Sequence, residues 1–195
     1  MIAIEPDAAV STRPMILRLA RGPSGMDNER VQAGVVLGLG SNLGDREAAI
    51  AGALARLETR GFRRSRLSSL YLTEPVGGPP QGFFLNAVAA GETPQSPEEL
   101  LAACLAVEHE LGRVRAEPNG PRTIDIDILF FGALVRDAPA PVIPHPRLHE
   151  RRFVLEPLAE ILPELVHPAL GRSVSALLAS CSDTSAVERF AGARA

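Results

Sequence analysis

Apolar positions change period several times along the chain, and each change marks an element. Val35-Val36-Leu37-Gly38-Leu39-Gly40 is a short apolar run closed by Ser41-Asn42, the pattern of a buried strand. From Asp45 to Arg60 the period becomes helical, with Ile50, Leu54 and Leu57 on one face and Gly61 where a helix would stop. Arg64 to Leu72 alternates loosely and reads as a second strand, Thr73 to Gly82 as a Pro- and Gly-rich loop, and Phe83 to Gly91 as a third strand. Ser96-Pro97-Glu98-Glu99 has the form of a helix start: a Ser N-cap, Pro in the first turn and Glu99 at the capping-box position. That helix runs to about Leu111, with Gly112 as its stop. A polar loop, Arg113 to Arg122, leads into Thr123 to Phe131, a strand dense in β-branched and aromatic residues.

The order β-α-β-β-α-β predicts an α+β protein with a ferredoxin-like core, an antiparallel sheet flanked by helices. Helical stretches near Phe153 to Ile161 and Val174 to Ala179 follow a proline-punctuated segment. Residues 1–32 show no sustained periodicity and hold no apolar stretch long enough for a signal-peptide core. They are expected to be a disordered N-terminal extension, with Met15 or Met26 as candidate starts. Residues 33–181 then form a single catalytic domain and 182–195 a frayed C-terminal tail.

A chain of 195 residues suits one domain, and 46% hydrophobic content supplies a core that a disordered chain would lack. No run of about 18 uncharged apolar residues occurs, so no membrane span is expected. Two cysteines, Cys104 and Cys181, exclude a disulfide scaffold and suit a reducing, cytoplasmic compartment. A net charge of −3 argues against general nucleic-acid binding. All 20 basic residues are arginine, which leaves room for a local cluster around a polyphosphate.

The most informative chemistry lies in Gly120-Pro121-Arg122-Thr123-Ile124-Asp125-Ile126-Asp127-Ile128. Side chains two apart on a strand share a face and stand about 6.5–7 Å apart. Asp125 and Asp127 therefore form a carboxylate pair able to bridge hard cations, while Ile124, Ile126 and Ile128 anchor the opposite face. The bland alternative is a solvent-facing strand edge with two ordinary aspartates. Arg113, Arg115 and Arg122 bracket the pair, and Arg147, Arg151 and Arg152 follow. Arginine forks match phosphate oxygens, and carboxylates for magnesium plus arginines for phosphates are what phosphoryl transfer requires. The same arginines could instead pair with Glu108, Glu110, Asp125 and Asp127 as an ordinary surface array. His145, in Ile143-Pro144-His145-Pro146, offers a phosphate contact or a proton shuttle, against a structural hydrogen bond. Phe84 and Asn86 share a strand face, which would suit a flat heterocycle as well as a core aromatic beside a turn amide. Gly38-Leu39-Gly40-Ser41-Asn42-Leu43-Gly44 is neither a Walker loop nor a Rossmann fingerprint, since the lysine is missing and the third glycine is misplaced.

Taken in order, Gly40 to Gly44, Tyr71 to Gly77, Phe84-Leu85-Asn86-Ala87, Glu108 to Arg115, Gly120 to Asp127, Pro144-His145 and Arg151 to Leu155 closely resemble the 6-hydroxymethyl-7,8-dihydropterin pyrophosphokinase (HPPK) family. The resemblance covers about Val35 to Leu178. It implies transfer of diphosphate from ATP to the hydroxymethyl group of the reduced pterin, releasing AMP, in folate biosynthesis. By that resemblance Asp125 and Asp127 hold two magnesium ions, and Arg113 and Arg122 act on the transferring phosphates. Glu108, Arg115, Ile128, His145 and Arg151 match the ATP side. Phe84 and Phe153 match the pterin-stacking pair, Asn86 the amide that reads the ring edge, and Gly40, Thr73 and Val76 the pocket lining. The implied partners are ATP and the reduced hydroxymethylpterin, with no nucleic acid and no membrane, for a monomer or at most a weak dimer. The chain departs from common family choices at Asn119 and Pro146, where aromatics are frequent, at Phe84, where tyrosine is frequent, and at Glu74, which is proline in some relatives. Two other readings stand beside this one: a magnesium-dependent nucleotidyltransferase or phosphohydrolase using the same carboxylates, and a ferredoxin-like RNA-binding module.

Overall fold

The computed structural model describes residues 33–114 and 119–191. The sequence reading of residues 1–32, and the assignment of Arg115, lie outside these described residues. Strand β1 (Ala33–Ser41) leads into helix α1 (Arg46–Thr59), which starts where the Asp45 carboxylate accepts the Ala48 N–H at 3.0 Å. Strands β2 (Arg63–Leu67), β3 (Tyr71–Thr73) and β4 (Phe84–Thr93) follow, then helix α2 (Pro97–Glu110). The capping box anticipated at Ser96 and Glu99 is formed at the start of α2. Strand β5 (Asp125–Phe131), a 3₁₀ turn (Leu148–Glu150), helices α3 (Arg152–Ile161) and α4 (Val174–Ala179), and strand β6 (Val187–Arg189) complete the order.

All pairings are antiparallel, in the order β5-β1-β4-β3-β6, with β2 beside β3 on the same edge of β4. The β-α-β-β-α-β core is thus the ferredoxin-like arrangement expected, with two differences. The segment expected as one strand is split into β2 and β3 at Ser68. There the hydroxyl of Ser68 accepts the Val88 N–H at 2.9 Å and takes over part of the ladder. Strand β2 is exposed along its whole length, so no alternation marked it as separate. The C-terminal segment expected to fray instead adds β6 to the sheet edge, and Phe190 packs against the core. Three residues are too short to leave a periodic signal.

Alternation along the strands sorts side chains into two layers. Val35, Leu37, Leu39, Leu85, Ala87, Ala89, Ile124, Ile126 and Ile128 pack under α1 and α2. Val36, Val88, Leu129 and Phe130 pack on the opposite face under α3 and α4. A bulge opposite Val36 and Leu37 brings both Leu129 and Phe130 to this second face. Helices α3 and α4 cover only part of it, and the uncovered part holds the cleft described next. No helix among the described residues is long and apolar enough to cross a membrane.

Candidate active site

Register builds the floor of the cleft. Asp125 sits opposite Gly40 and Asp127 opposite Gly38, while Asn86 flanks Gly40 on its other side. A side chain at Gly40 would put a Cβ 2.6 Å from Asn86 Oδ1, so the glycine makes room for the amide. The resulting cleft has a volume of about 400 Å³. It brings together Gly40, Thr73, Val76, Phe84, Asn86, Glu108, Arg113, Arg122, Asp125, Asp127, His145, Arg151 and Phe153, residues from seven stretches of the chain.

Charge is concentrated on one side of it. Arg113 hydrogen-bonds both Glu108 and Asp125, and Arg122 Nε lies 3.3 Å from Asp125 Oδ2. The pairing of arginines with carboxylates, offered by the sequence as the bland reading, therefore occurs here. It does not exhaust the arginines: among the described residues no carboxylate lies within ion-pair distance of Arg147 or Arg151, both of which line the cleft. Arg122 Nε is also buried without a well-aligned hydrogen-bond acceptor. Burial, then the charge of Asp125, push the Asp127 carboxyl up from the usual carboxylate range. Such a pair calls for cations. Among the described residues no cluster of three or more His, Cys, Asp or Glu completes a cage. Two carboxylates with room beside them suit magnesium, which takes its remaining oxygens from substrate phosphates and water.

Glu108 is buried at the base of this wall and accepts the Ile126 N–H at 2.8 Å, so it ties α2 to the strand between the two aspartates. His145 donates its backbone N–H to Leu129 O at 3.0 Å, and its Nδ1 accepts from Arg147 N at 3.2 Å. Burial, then Arg151 and Arg147, push its imidazole down to about 4. With Nδ1 accepting, the uncharged ring presents Nε2–H as a donor.

The other side is formed by aromatic rings and an amide, with guanidinium groups over both rings. Arg122 Cζ lies 5.1 Å from the centroid of the Phe84 ring, and Arg151 Cζ 5.4 Å from that of the Phe153 ring. Asn86 Nδ2 donates to Thr73 Oγ1 at 2.7 Å, which leaves its Oδ1 as the acceptor over Gly40. Ile128 is the exception to the convergence. Its side chain is buried in the core beneath α1 and α2, on the strand face opposite Asp127, and does not line the cleft. Asn42, Gln81 and Arg147 had no assigned role, yet Gln81 and Arg147 line the cleft and Asn42 bonds its rim. Asn42 was visible only as part of a glycine-rich motif, and nothing in the sequence singled out Gln81.

A model of the 7,8-dihydro-6-hydroxymethylpterin-pyrophosphokinase (HPPK) family matches residues 36–163. The chain belongs to the HPPK family. It is 48% identical to the 2-amino-4-hydroxy-6-hydroxymethyldihydropteridine pyrophosphokinase of Methylorubrum extorquens, over 78% of this chain and 96% of that protein. The Pseudomonas aeruginosa enzyme of the same name is 42% identical, over 82% of this chain and 98% of its own length. The chain also matches folic acid synthesis protein fol1 of Pneumocystis carinii at 40% identity, but spans only 20% of that longer protein. Among solved structures, a Plasmodium falciparum HPPK-DHPS superposes with a TM-score of 0.63 at 16% identity, covering 78% of this chain and 46% of the other. At that identity the likeness speaks for the HPPK fold alone.

Proposed function

We propose that the cleft transfers diphosphate from ATP to the hydroxymethyl group of 6-hydroxymethyl-7,8-dihydropterin, releasing AMP, as the names of the full-length relatives imply. The observation that carries this reading is one cleft with two unlike halves: a carboxylate pair ringed by arginines, and a region lined by Phe84, Phe153 and Asn86.

Asp125 and Asp127 would hold magnesium, two ions in the family pattern, whose chemistry is to neutralise the phosphate chain and orient it. Arg113, Arg122, Arg147 and Arg151 bind phosphate oxygens through forked N–H groups. The misaligned Nε of Arg122 is a buried donor that a phosphate oxygen would satisfy. His145 Nε2–H adds a neutral donor. Asn86 Oδ1 accepts from an N–H on the pterin edge, and the phenyl rings stack on its faces. So held, the hydroxymethyl oxygen attacks the middle phosphorus in line. The new P–O bond forms as the bond to the AMP oxygen breaks, and the hydroxyl proton leaves to solvent. Positioning and charge shielding suffice, because the transition state needs little covalent help.

Incubation with ATP, magnesium and the reduced hydroxymethylpterin should yield AMP and the pterin diphosphate in equal amounts. Release of pyrophosphate would favour a nucleotidyltransferase, and formation of ADP or free phosphate a simple kinase or hydrolase; either would overturn the reading.

A further inference from the structure

Arg151 and Phe153 enter the cleft from the start of α3, with only Arg152 between them in the chain. Arg151 is the N-cap residue of that helix, with extended backbone (φ −116°, ψ 107°), and its carbonyl accepts the Val154 and Leu155 N–H groups at 3.1 and 3.0 Å. An N-cap side chain normally offers an oxygen to the first turn, whose N–H groups have no partner within the helix. A guanidinium has no acceptor to offer, and the Arg151 side chain makes no capping bond. The acceptor comes instead from Asp183, 31 residues beyond Arg152: its Oδ2 takes the Arg152 N–H at 2.9 Å. Its negative charge also suits the positive end of the helix.

The Asp183 carboxylate is itself held. Its Oδ1 accepts the Ser185 N–H at 2.9 Å and the Ser185 hydroxyl at 2.5 Å. The chain is then fastened to β3. Ala186 N donates to Glu74 Oε2 and Ala186 O accepts from Glu74 N, both at 3.2 Å, and Val187 pairs with Thr73 in the β3–β6 ladder. Thr73 is the residue that accepts from Asn86 in the cleft. Residues 183–187 therefore tie the wall carrying Thr73 and Asn86 to the wall carrying Arg151 and Phe153. They lie beyond residues 36–163, the part matched by the family model.

We infer that Asp183 is a positioning residue, which caps α3 from the C-terminal segment and so sets the Arg151 guanidinium for ATP and the Phe153 ring for the pterin. Asp183 does not line the cleft, so it acts through these two side chains. Without it the Arg152 N–H loses its acceptor, and the first turn, the end of a helix that frays most readily, is free to turn both side chains away.

The proposal rests on the roles given above to Arg151 and Phe153, and equilibrium binding separates the two. Asp183→Ala should weaken binding of a non-hydrolysable ATP analogue with magnesium about fivefold, and of 6-hydroxymethyl-7,8-dihydropterin at saturating analogue by a similar factor, the scale of one lost cap. Asp183→Asn, whose carboxamide oxygen still accepts the Arg152 N–H, should stay within about twofold of wild type. The melting temperature of Asp183→Ala should fall by no more than about 8 °C, so that binding at 25 °C reports folded protein. In an Arg151→Ala background Asp183→Ala should cost the analogue nothing further, and in a Phe153→Ala background it should cost the pterin nothing further, because nothing is left to position. Losses of undiminished size in those backgrounds would assign Asp183 to the fold alone and overturn the proposal. So would normal binding of both ligands by Asp183→Ala, or an Asp183→Asn as weak as Asp183→Ala. The single variants distinguish the failures. If Arg151→Ala weakens the analogue and Phe153→Ala the pterin while Asp183→Ala binds both normally, only the cap falls. If Arg151→Ala and Phe153→Ala bind as wild type does, the reading of the cleft falls and the cap with it.

Discussion

One face of the sheet serves two ends of the molecule differently. Val36, Val88, Leu129 and Phe130 lie under α3 and α4, whereas Gly38, Gly40, Asn86, Asp125 and Asp127 continue the same face of the same strands into the open cleft. Strands and pleat are shared, and the β1–β5 register shifts once at the bulge between the two ends; the main difference is the cover. The covered end, together with the core beneath α1 and α2, anchors the strands by apolar burial. That anchoring lets the open end carry features that would not hold a sheet together unaided: glycines with no side chain to pack, and two neighbouring carboxylates whose charges repel. Stability and chemistry are thereby separated along the length of each strand.

The sharpest way to break that contrast is at the carboxylates. Asp127→Ala should reduce AMP formation about a thousandfold or more if, as proposed, it removes a magnesium ligand, while the melting temperature of the metal-free protein does not fall. A variant that melts early would assign Asp127 to the fold instead. At the covered end the expectation inverts. Leu158 is fully buried on α3, and Leu158→Ala should lower unfolding free energy in urea by about 2–5 kcal/mol, with turnover per folded molecule unchanged. Gly40→Ala tests the floor. Its Cβ must displace Asn86 Oδ1, so KM for the pterin should rise about tenfold while KM for ATP stays put. Gly38→Ala, whose Cβ would meet only the Leu129 side chain at 3.4 Å, should be tolerated.

The smallest effect concerns how α3 is fastened. Glu160 accepts from Ser69 N at 2.9 Å, Tyr71 Oη at 3.0 Å and Arg189 at 3.1 Å. Hydrogen bonds from Ser69 and Tyr71, with the charge of Arg189, hold its carboxyl below the ordinary value despite some burial. A depressed carboxyl stabilises the fold above the unfolded-state value of 4.5 and loses that contribution as pH falls through the folded one. Glu160→Gln should therefore be less stable than wild type at neutral pH by under about 1 kcal/mol, with the gap closing below pH 4.5. A gap that persists in acid would assign the difference to something other than the charge.

Legibility followed the range of the interaction. Asp125 and Asp127 could be placed on one face because a period of two is local and holds wherever the strand lies. The same rule put the Ile128 side chain on the other face, where it packs in the core. The capping box at Ser96 was equally local. By contrast, β2 and β3 parted at Ser68 because its hydroxyl met Val88, 20 residues away. Gln81 drew no notice because its meaning depends on Asn42 and Asn119, 39 and 38 residues distant.

By itself, then, the order of residues determined the elements, the sorting of apolar and acidic side chains along each strand, and the supply of arginines. Tertiary structure alone decided which end of the sheet stays open, which of the described arginines pair with carboxylates, and that Asn42 reaches Gln81 and Arg122. The reason is physical: alternation and capping are settled by neighbours within a few residues, whereas cover, ion pairing and burial arise only when distant segments close the same space.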